Sequence, residues 1–254
     1  MSQIRVVFML VILTLIQNIV IAQYDEEVFS SEVLLRKEYY GGIFINSSGG
    51  GIEFRKGANT TYFTKWLYEA NLLELKSNRE TRVYNPFYRN SRSFVYGKLN
   101  SLYVLRIGGG QQKLVNRKPY WGGVELRYFW FAGGSAGFAK PVYLYIIKEL
   151  AINPPYYEYS LIAEKYDPDK HFLDNIYGRA SFTKGFNEIN VHPGVYAKAG
   201  LSFDFGRQNQ KVSAVEIGAA LDFFPTGIRM MAIRDPERFF LTFFVGYYMG
   251  KRYN

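Results

Sequence analysis

The sequence predicts an all-β chain that closes into a transmembrane, antiparallel up-and-down β-barrel, and three observations carry that expectation. A leader-like segment opens the chain, period-two alternation fills its C-terminal third, and 22 tyrosines with 21 phenylalanines suit aromatic girdles at two membrane interfaces. In Val195 to Phe205 the apolar Val195, Ala197, Ala199, Leu201, Phe203 and Phe205 alternate with Tyr196, Lys198, Ser202 and Asp204. Successive strand side chains point to opposite faces, so one face suits lipid and the other a polar lumen. After the turn Arg207 to Gln210, Val215, Ile217, Ala219, Leu221 and Phe223 repeat the pattern against Glu216 and Asp222. Such a hairpin is long enough to cross a bilayer.

At the N-terminus, Arg5 precedes the apolar run Val6 to Ile16, and Ile19 to Ala22 lead into a polar stretch at Gln23. The run is short and soon interrupted. Residues 1–22 are therefore expected to be a cleaved signal peptide, 23–38 an N-terminal periplasmic segment and 39–254 the barrel. No later stretch approaches the roughly 20 unbroken apolar residues of a membrane-spanning helix. The absence of cysteine excludes disulfides, thiolate metal sites and a lipidated N-terminal cysteine. The formal charge is +9, of which the leader contributes only Arg5. On a secreted chain that surplus points to outer-membrane lipid, including the phosphates of lipopolysaccharide, rather than to nucleic acid.

Ten strands follow from the patterning, with eight as the alternative. The first hairpin is Tyr39 to Asn46 and Gly51 to Lys56 around Ser47-Ser48-Gly49-Gly50. Tyr62 to Lys76 comes next, with Trp66, Tyr68, Ala70 and Leu72 opposite Lys65, Glu69 and Asn71, and with Leu67, Leu73 and Leu75 breaking the alternation. Val95 to Gly108 puts Leu99, Tyr103, Leu105 and Ile107 outward and is expected to end at Gly108-Gly109-Gly110. The strand around Val124 to Trp130 should stop at the turn Gly133-Gly134-Ser135, and Val142 to Ile146 should start another, delayed or bulged by Pro141. Tyr156 to Tyr166 would return across the membrane, and Phe239 to Gly250 would be the last strand. Both termini of a bacterial barrel lie in the periplasm, which requires an even count and puts long loops at 77–93, 167–190 and 225–237 outside.

The inward positions define a lumen network of Lys98, Arg106, Glu125, Arg127, Lys198, Asp204, Glu216 and Asp222, together with Lys65 and Glu69. A barrel of this size is usually filled by such side chains, so a structural ion-pair network is expected, with a narrow polar conduit as the alternative. The loop cations Arg79, Arg82, Arg89 and Arg92 lie among Tyr84, Phe87 and Tyr88, and are candidates for contact with lipid phosphates or a docked partner. Asp167, Asp169, His171 and Asp174 lack the register of a calcium loop, so no metal is expected. Neither histidine belongs to a nucleophile-elbow pattern with Ser160, Ser181 or Ser202, and no cofactor motif is present.

The segments Tyr96 to Asn100, Gly110 to Lys113, Asn116 to Gly123, Lys140 to Leu144, Glu164 to Pro168 and Pro193 to Leu201 resemble a family of small outer-membrane β-barrel proteins of Bacteroidota. That family is loosely similar to the barrels that accompany type IX secretion and gliding machinery. The resemblance covers most of the mature chain and implies membrane class. It carries over no catalytic residue. The expected function is that of a non-enzymatic structural or docking component of a cell-envelope or secretion assembly. The alternatives are a narrow channel for small solutes and an outer-membrane lipid hydrolase.

Overall fold

The computed structural model describes residues 37–253 apart from 62, 78, 89, 118–122, 154–155 and 207–209, and the side chains of 149–158 also fall outside the description. The expected signal peptide, the expected periplasmic segment up to residue 36, and Arg89 lie outside the described residues.

Among the described residues, thirteen strands form in chain order: β1 (Lys37–Asn46), β2 (Gly49–Asn59), β3 (Thr64–Leu75), β4 (Arg82–Val83), β5 (Phe94–Val95), β6 (Asn100–Asn116), β7 (Glu125–Pro141), β8 (Tyr143–Asn153), β9 (Tyr156–Lys165), β10 (Ile176–Arg179), β11 (Asn190–Asp204), β12 (Lys211–Ile228) and β13 (Glu237–Tyr253). Eight of them close a barrel in the order β1, β2, β3, β6, β7, β11, β12, β13, every neighbouring pair antiparallel. Pairing of β1 with β13, with Ile43 opposite Tyr247, shuts the wall and removes both sheet edges.

Eight strands, not ten, span the wall. Gly133-Gly134-Ser135 is no turn, because Gly133 pairs with Gly108 on one side and Tyr196 on the other, and β7 continues to Pro141. Likewise β6 runs through Gly108-Gly109-Gly110 to Asn116. A Cβ at position 108 would come within 2.4 Å of the Tyr196 hydroxyl and 2.5 Å of the Ala132 carbonyl oxygen. Glycine is needed there for close approach inside a narrow barrel, not for chain reversal. The two apparent extra strands, β8 and β9, pair with each other and with β10 in a separate three-stranded sheet. Parity could not discriminate eight from ten, since both are even. β1 is described from Lys37 onward, and Glu38 and Tyr40 are buried toward the lumen.

Connectivity makes the two rims unequal. The strand ends Asn59, Thr64, Asn116, Glu125, Asp204 and Lys211 share one rim with Lys37 and Tyr253. The connections 47–48, 76–99, 142–189 and 229–236 share the other. Short turns are periplasmic and long loops extracellular in this class, so the second rim faces outward.

The outer surface of the wall is apolar. Ile45, Phe243 and Val245 are 76%, 62% and 56% exposed, and Ile43, Ile52, Phe54, Leu72, Ile107, Val195 and Leu241 continue the belt. A contiguous patch of that extent is untenable in water and is the required surface in a bilayer. Trp66, Tyr68 and Trp130 cluster toward the turn rim, and Phe223 stacks near Phe239 toward the loop rim. Aromatic side chains thus stand toward both ends of the apolar belt, where membrane interfaces favour them.

Candidate functional site: a salt-bridged lumen beneath a loop-built rim

Alternation sends charged side chains of β2, β3, β11 and β12 into the middle of the lumen. Arg55 is fully buried there. Its Nη1 and Nη2 donate to Glu216 Oε1 and Oε2, both at 2.8 Å, and its Nε donates to Glu53 at 2.5 Å and Glu69 at 3.2 Å. Phe131, Phe129 and Tyr248 surround the guanidinium, with ring centroids 4.6, 5.1 and 5.1 Å from its carbon. Lys198 Nζ donates to both oxygens of Glu53 at 2.8 Å, and the hydroxyls of Tyr248 and Tyr196 donate to Glu53 and Glu69, each at 2.8 Å. Taking ions out of water is tolerable only with this degree of pairing.

Two further groups flank the centre. Toward the loop rim, Arg106 makes a two-point pair with Asp222, at 2.8 and 2.5 Å. At the turn rim, Lys65 and Arg252 share Glu38 Oε2 at 2.7 and 3.2 Å, Arg252 also pairs with Asp204, and Arg127 pairs with Glu125. The loop end of the lumen is apolar instead: Leu73, Leu75, Leu102, Val104, Phe224, Ile228, Met230 and Met231 pack together. Leu73 and Leu75, which broke the alternation in sequence, belong to this cap, and Leu67 is likewise buried inward.

Of the expected lumen residues, Arg106, Arg127, Lys198, Asp204, Glu216 and Asp222 are buried inward, and Glu125 sits half-buried at the turn rim. Lys98 does not line the wall. It precedes β6, in the 76–99 connection, and pairs with Glu80 at 2.8 Å, because the strand starts at Asn100 rather than Val95. Arg55, Glu53, Glu38 and Arg252 were missed. The alternation Ile52-Glu53-Phe54-Arg55 was the available signal for two of them, since both charges fall on one face.

The rim is a structure in its own right. Phe94, Leu144, Ile146, Tyr166 and Ile176 form a core separate from the lumen. Asn85 Nδ2 donates to the backbone oxygens of Leu173, Asp174 and Ile176 at 2.8, 3.3 and 2.6 Å, tying the β4–β5 connection to the β8–β9–β10 sheet. Gly178 makes the junction possible, for a Cβ there would lie 2.4 Å from the Arg92 carbonyl oxygen. Of the expected loop cations, Arg82 starts β4 and lines a cleft on this rim, Arg92 lies at the Gly178 junction, and Arg79 stands in the turn before β4.

Ionisable groups of the rim serve local structure. The Lys148 ammonium, and after it His171, holds the Glu164 carboxyl below the usual carboxylate range. The Tyr143 hydroxyl and Lys165 do the same to Glu188. His171 accepts from the Asp167 backbone N–H at 3.0 Å and His192 meets the Thr226 hydroxyl at 2.8 Å, so among the described residues neither is paired with a serine. Among those residues, no group of three or more histidine and acidic side chains converges to hold a metal ion.

No protein-family model matches the chain, and no curated protein sequence matches it. Among solved structures it is similar to Ail, the attachment invasion locus protein of Yersinia pestis, at 8% identity and a TM-score of 0.39 over 86% of this chain and 98% of that one. It is similar also to Neisserial surface protein A, at 6% identity and a TM-score of 0.40 over 85% of this chain and 96% of that one.

Proposed function

We propose that the chain is a non-enzymatic outer-membrane β-barrel that acts as a structural or docking component of a cell-envelope assembly, a secretion apparatus being the kind its sequence resemblance suggests. The observation that carries this reading is the contrast between lumen and rim. The lumen is occupied along its length by paired charges and an apolar cap, which suits an anchor better than a conduit. The outer rim, by contrast, carries a separately cored sheet with apolar side chains outside the lipid belt. Tyr84 and Phe87 are 67% and 70% exposed there, and Tyr159, Leu161 and Phe172 are also exposed. Aromatic and arginine side chains are the ones enriched where proteins meet. Outer-membrane lipid, including lipopolysaccharide, would surround the belt, and envelope proteins would meet the rim.

The test is affinity purification of the tagged protein from isolated outer membranes in mild detergent, for the wild type and for a Phe87→Ser, Phe172→Ser double variant. A stoichiometric envelope protein retained by the wild type and lost by the variant supports docking. Recovery of the barrel alone sinks that reading.

A further inference from the structure

A cleft of about 450 Å³ opens on the outer rim between the start of β6, the end of β7 and the loop sheet, a size that admits one or two sugar rings. Its charge is lopsided. Six lysine and arginine side chains line it against only two carboxylates, Glu74 and Glu80. Those two are already taken, Glu80 by Lys98 at 2.8 Å and Glu74 by Lys76 at 3.4 Å. The remaining four, Arg82, Lys140, Arg179 and Lys184, have no carboxylate within ion-pair reach among the described residues.

Lys140 is the informative one. It is only 7% exposed, yet its Nζ donates to a single protein acceptor, the Phe182 carbonyl oxygen at 2.6 Å. The ammonium lies 4.4 and 4.9 Å from the ring centroids of Phe182 and Phe186, which leaves N–H bonds unused and the charge without a counter-anion. An ammonium held against two rings at the wall of a cleft, with no carboxylate beside it among the described residues, is a ready partner for an anion entering the cleft. Phe182 also meets Tyr103 edge to face at 6.4 Å and is itself exposed, so an aromatic surface adjoins the cations. Aromatic faces pack against sugar rings, while the planar guanidinium and the ammonium match phosphate oxygens. The site sits where Lys140 pairs with Ser101, at the junction of wall and loops and hence at headgroup level.

We propose that this cleft binds a phosphorylated sugar, with Lys140 and Arg179 holding the phosphate and Phe182 packing on the ring. The shared chemistry has two sources, the phosphosugars of lipopolysaccharide in the surrounding leaflet and soluble sugar phosphates reaching the cell surface. This is a ligand site and stands independently of whether the rim also docks a protein.

The experiment titrates the purified full-length protein with glucosamine 6-phosphate, with glucosamine as the control that lacks the phosphate, by calorimetry in detergent. In parallel it measures retention of bisphosphorylated and dephosphorylated lipopolysaccharide on the immobilised protein. The same measurements are made on Lys140→Gln and on the exposed-site variant Arg179→Gln, Lys184→Gln, whose folding is checked by the heat-dependent gel shift of intact barrels. Saturable binding of glucosamine 6-phosphate, absent for glucosamine and weakened about tenfold or more by the double variant, supports the site with a soluble source. Binding seen only for phosphorylated lipopolysaccharide, and weakened by the same variant, supports it with a lipid source. If neither phosphorylated ligand saturates, or if the folded Arg179→Gln, Lys184→Gln and Lys140→Gln proteins both bind as the wild type does, the proposal is overturned.

Discussion

Arg55 and Glu216 stand 161 residues apart in sequence and meet in the lumen as a two-point ion pair, with both contacts at 2.8 Å and neither side chain reached by solvent. The pair links β2 to β12 across the barrel interior, which no backbone hydrogen bond does. It fastens opposite parts of the wall.

Glu216→Ala should therefore strip Arg55 of its two-point partner and leave a buried charge undercompensated. The expected cost is about 3 to 5 kcal/mol, the range for breaking a buried pair from one side. Urea unfolding of the protein refolded into lipid vesicles would read it. A midpoint indistinguishable from wild type would show that the cluster contributes nothing to holding the wall.

A lumen filled in this way should not conduct. Protein reconstituted in planar bilayers is expected to give no steady current steps at moderate voltage. Reproducible steps that vanish in Arg106→Ala or Arg127→Ala would mean that the interior is a path for ions, and the anchor reading would fall.

Glycine positions on the two faces of the wall should respond unequally to an added methyl group. Gly108→Ala drives a methyl group against the Tyr196 hydroxyl and the Ala132 carbonyl, at a cost of about 1 to 3 kcal/mol for overpacking. At Gly134 an added Cβ meets nothing within 4 Å, so Gly134→Ala should fold as the wild type does. Comparing the folded fractions of the two variants by heat-dependent gel mobility would check the contrast.

The β8–β9 hairpin should loosen in acid. Glu164 is bonded to Lys148 and faces His171, which lowers its folded carboxyl pKa below the unfolded value of about 4.3. A lowered carboxylate pKa contributes stability that is fully present above the unfolded pKa and is lost as pH falls through the folded one. Hydrogen exchange at Tyr145 and Ile162 should thus rise below the unfolded carboxylate range, beyond the intrinsic pH dependence of exchange. In Glu164→Gln that extra rise should be absent. An unchanged pH profile in the variant would assign the loosening to another group.

The face of each wall strand was legible where alternation was strict. Val195 to Phe205, Val215 to Phe223 and Phe239 to Met249 point as read, with Tyr196, Lys198, Glu216 and Asp222 inward and Phe243 and Val245 toward lipid. The lengths of β6 and β7 were not legible. Runs of glycine ordinarily signal turns, and only the crowding of neighbouring strands and Tyr196 explains why glycine stays inside them. Misreading those glycines split β7 from its own continuation and brought a rim hairpin into the wall. The rim cleft left no sequence signature, for Lys140, Arg179 and Lys184 come from separate elements.

By itself, then, the sequence determined that this chain makes two-faced strands with apolar exteriors, because side-chain alternation is a local property of extended backbone. Tertiary structure alone decided the count of eight, the partner of each buried charge and the rim cleft. Strand pairing and closure bring together residues such as Arg55 and Glu216, and pairing in a narrow lumen depends on register and distance, which no local pattern encodes.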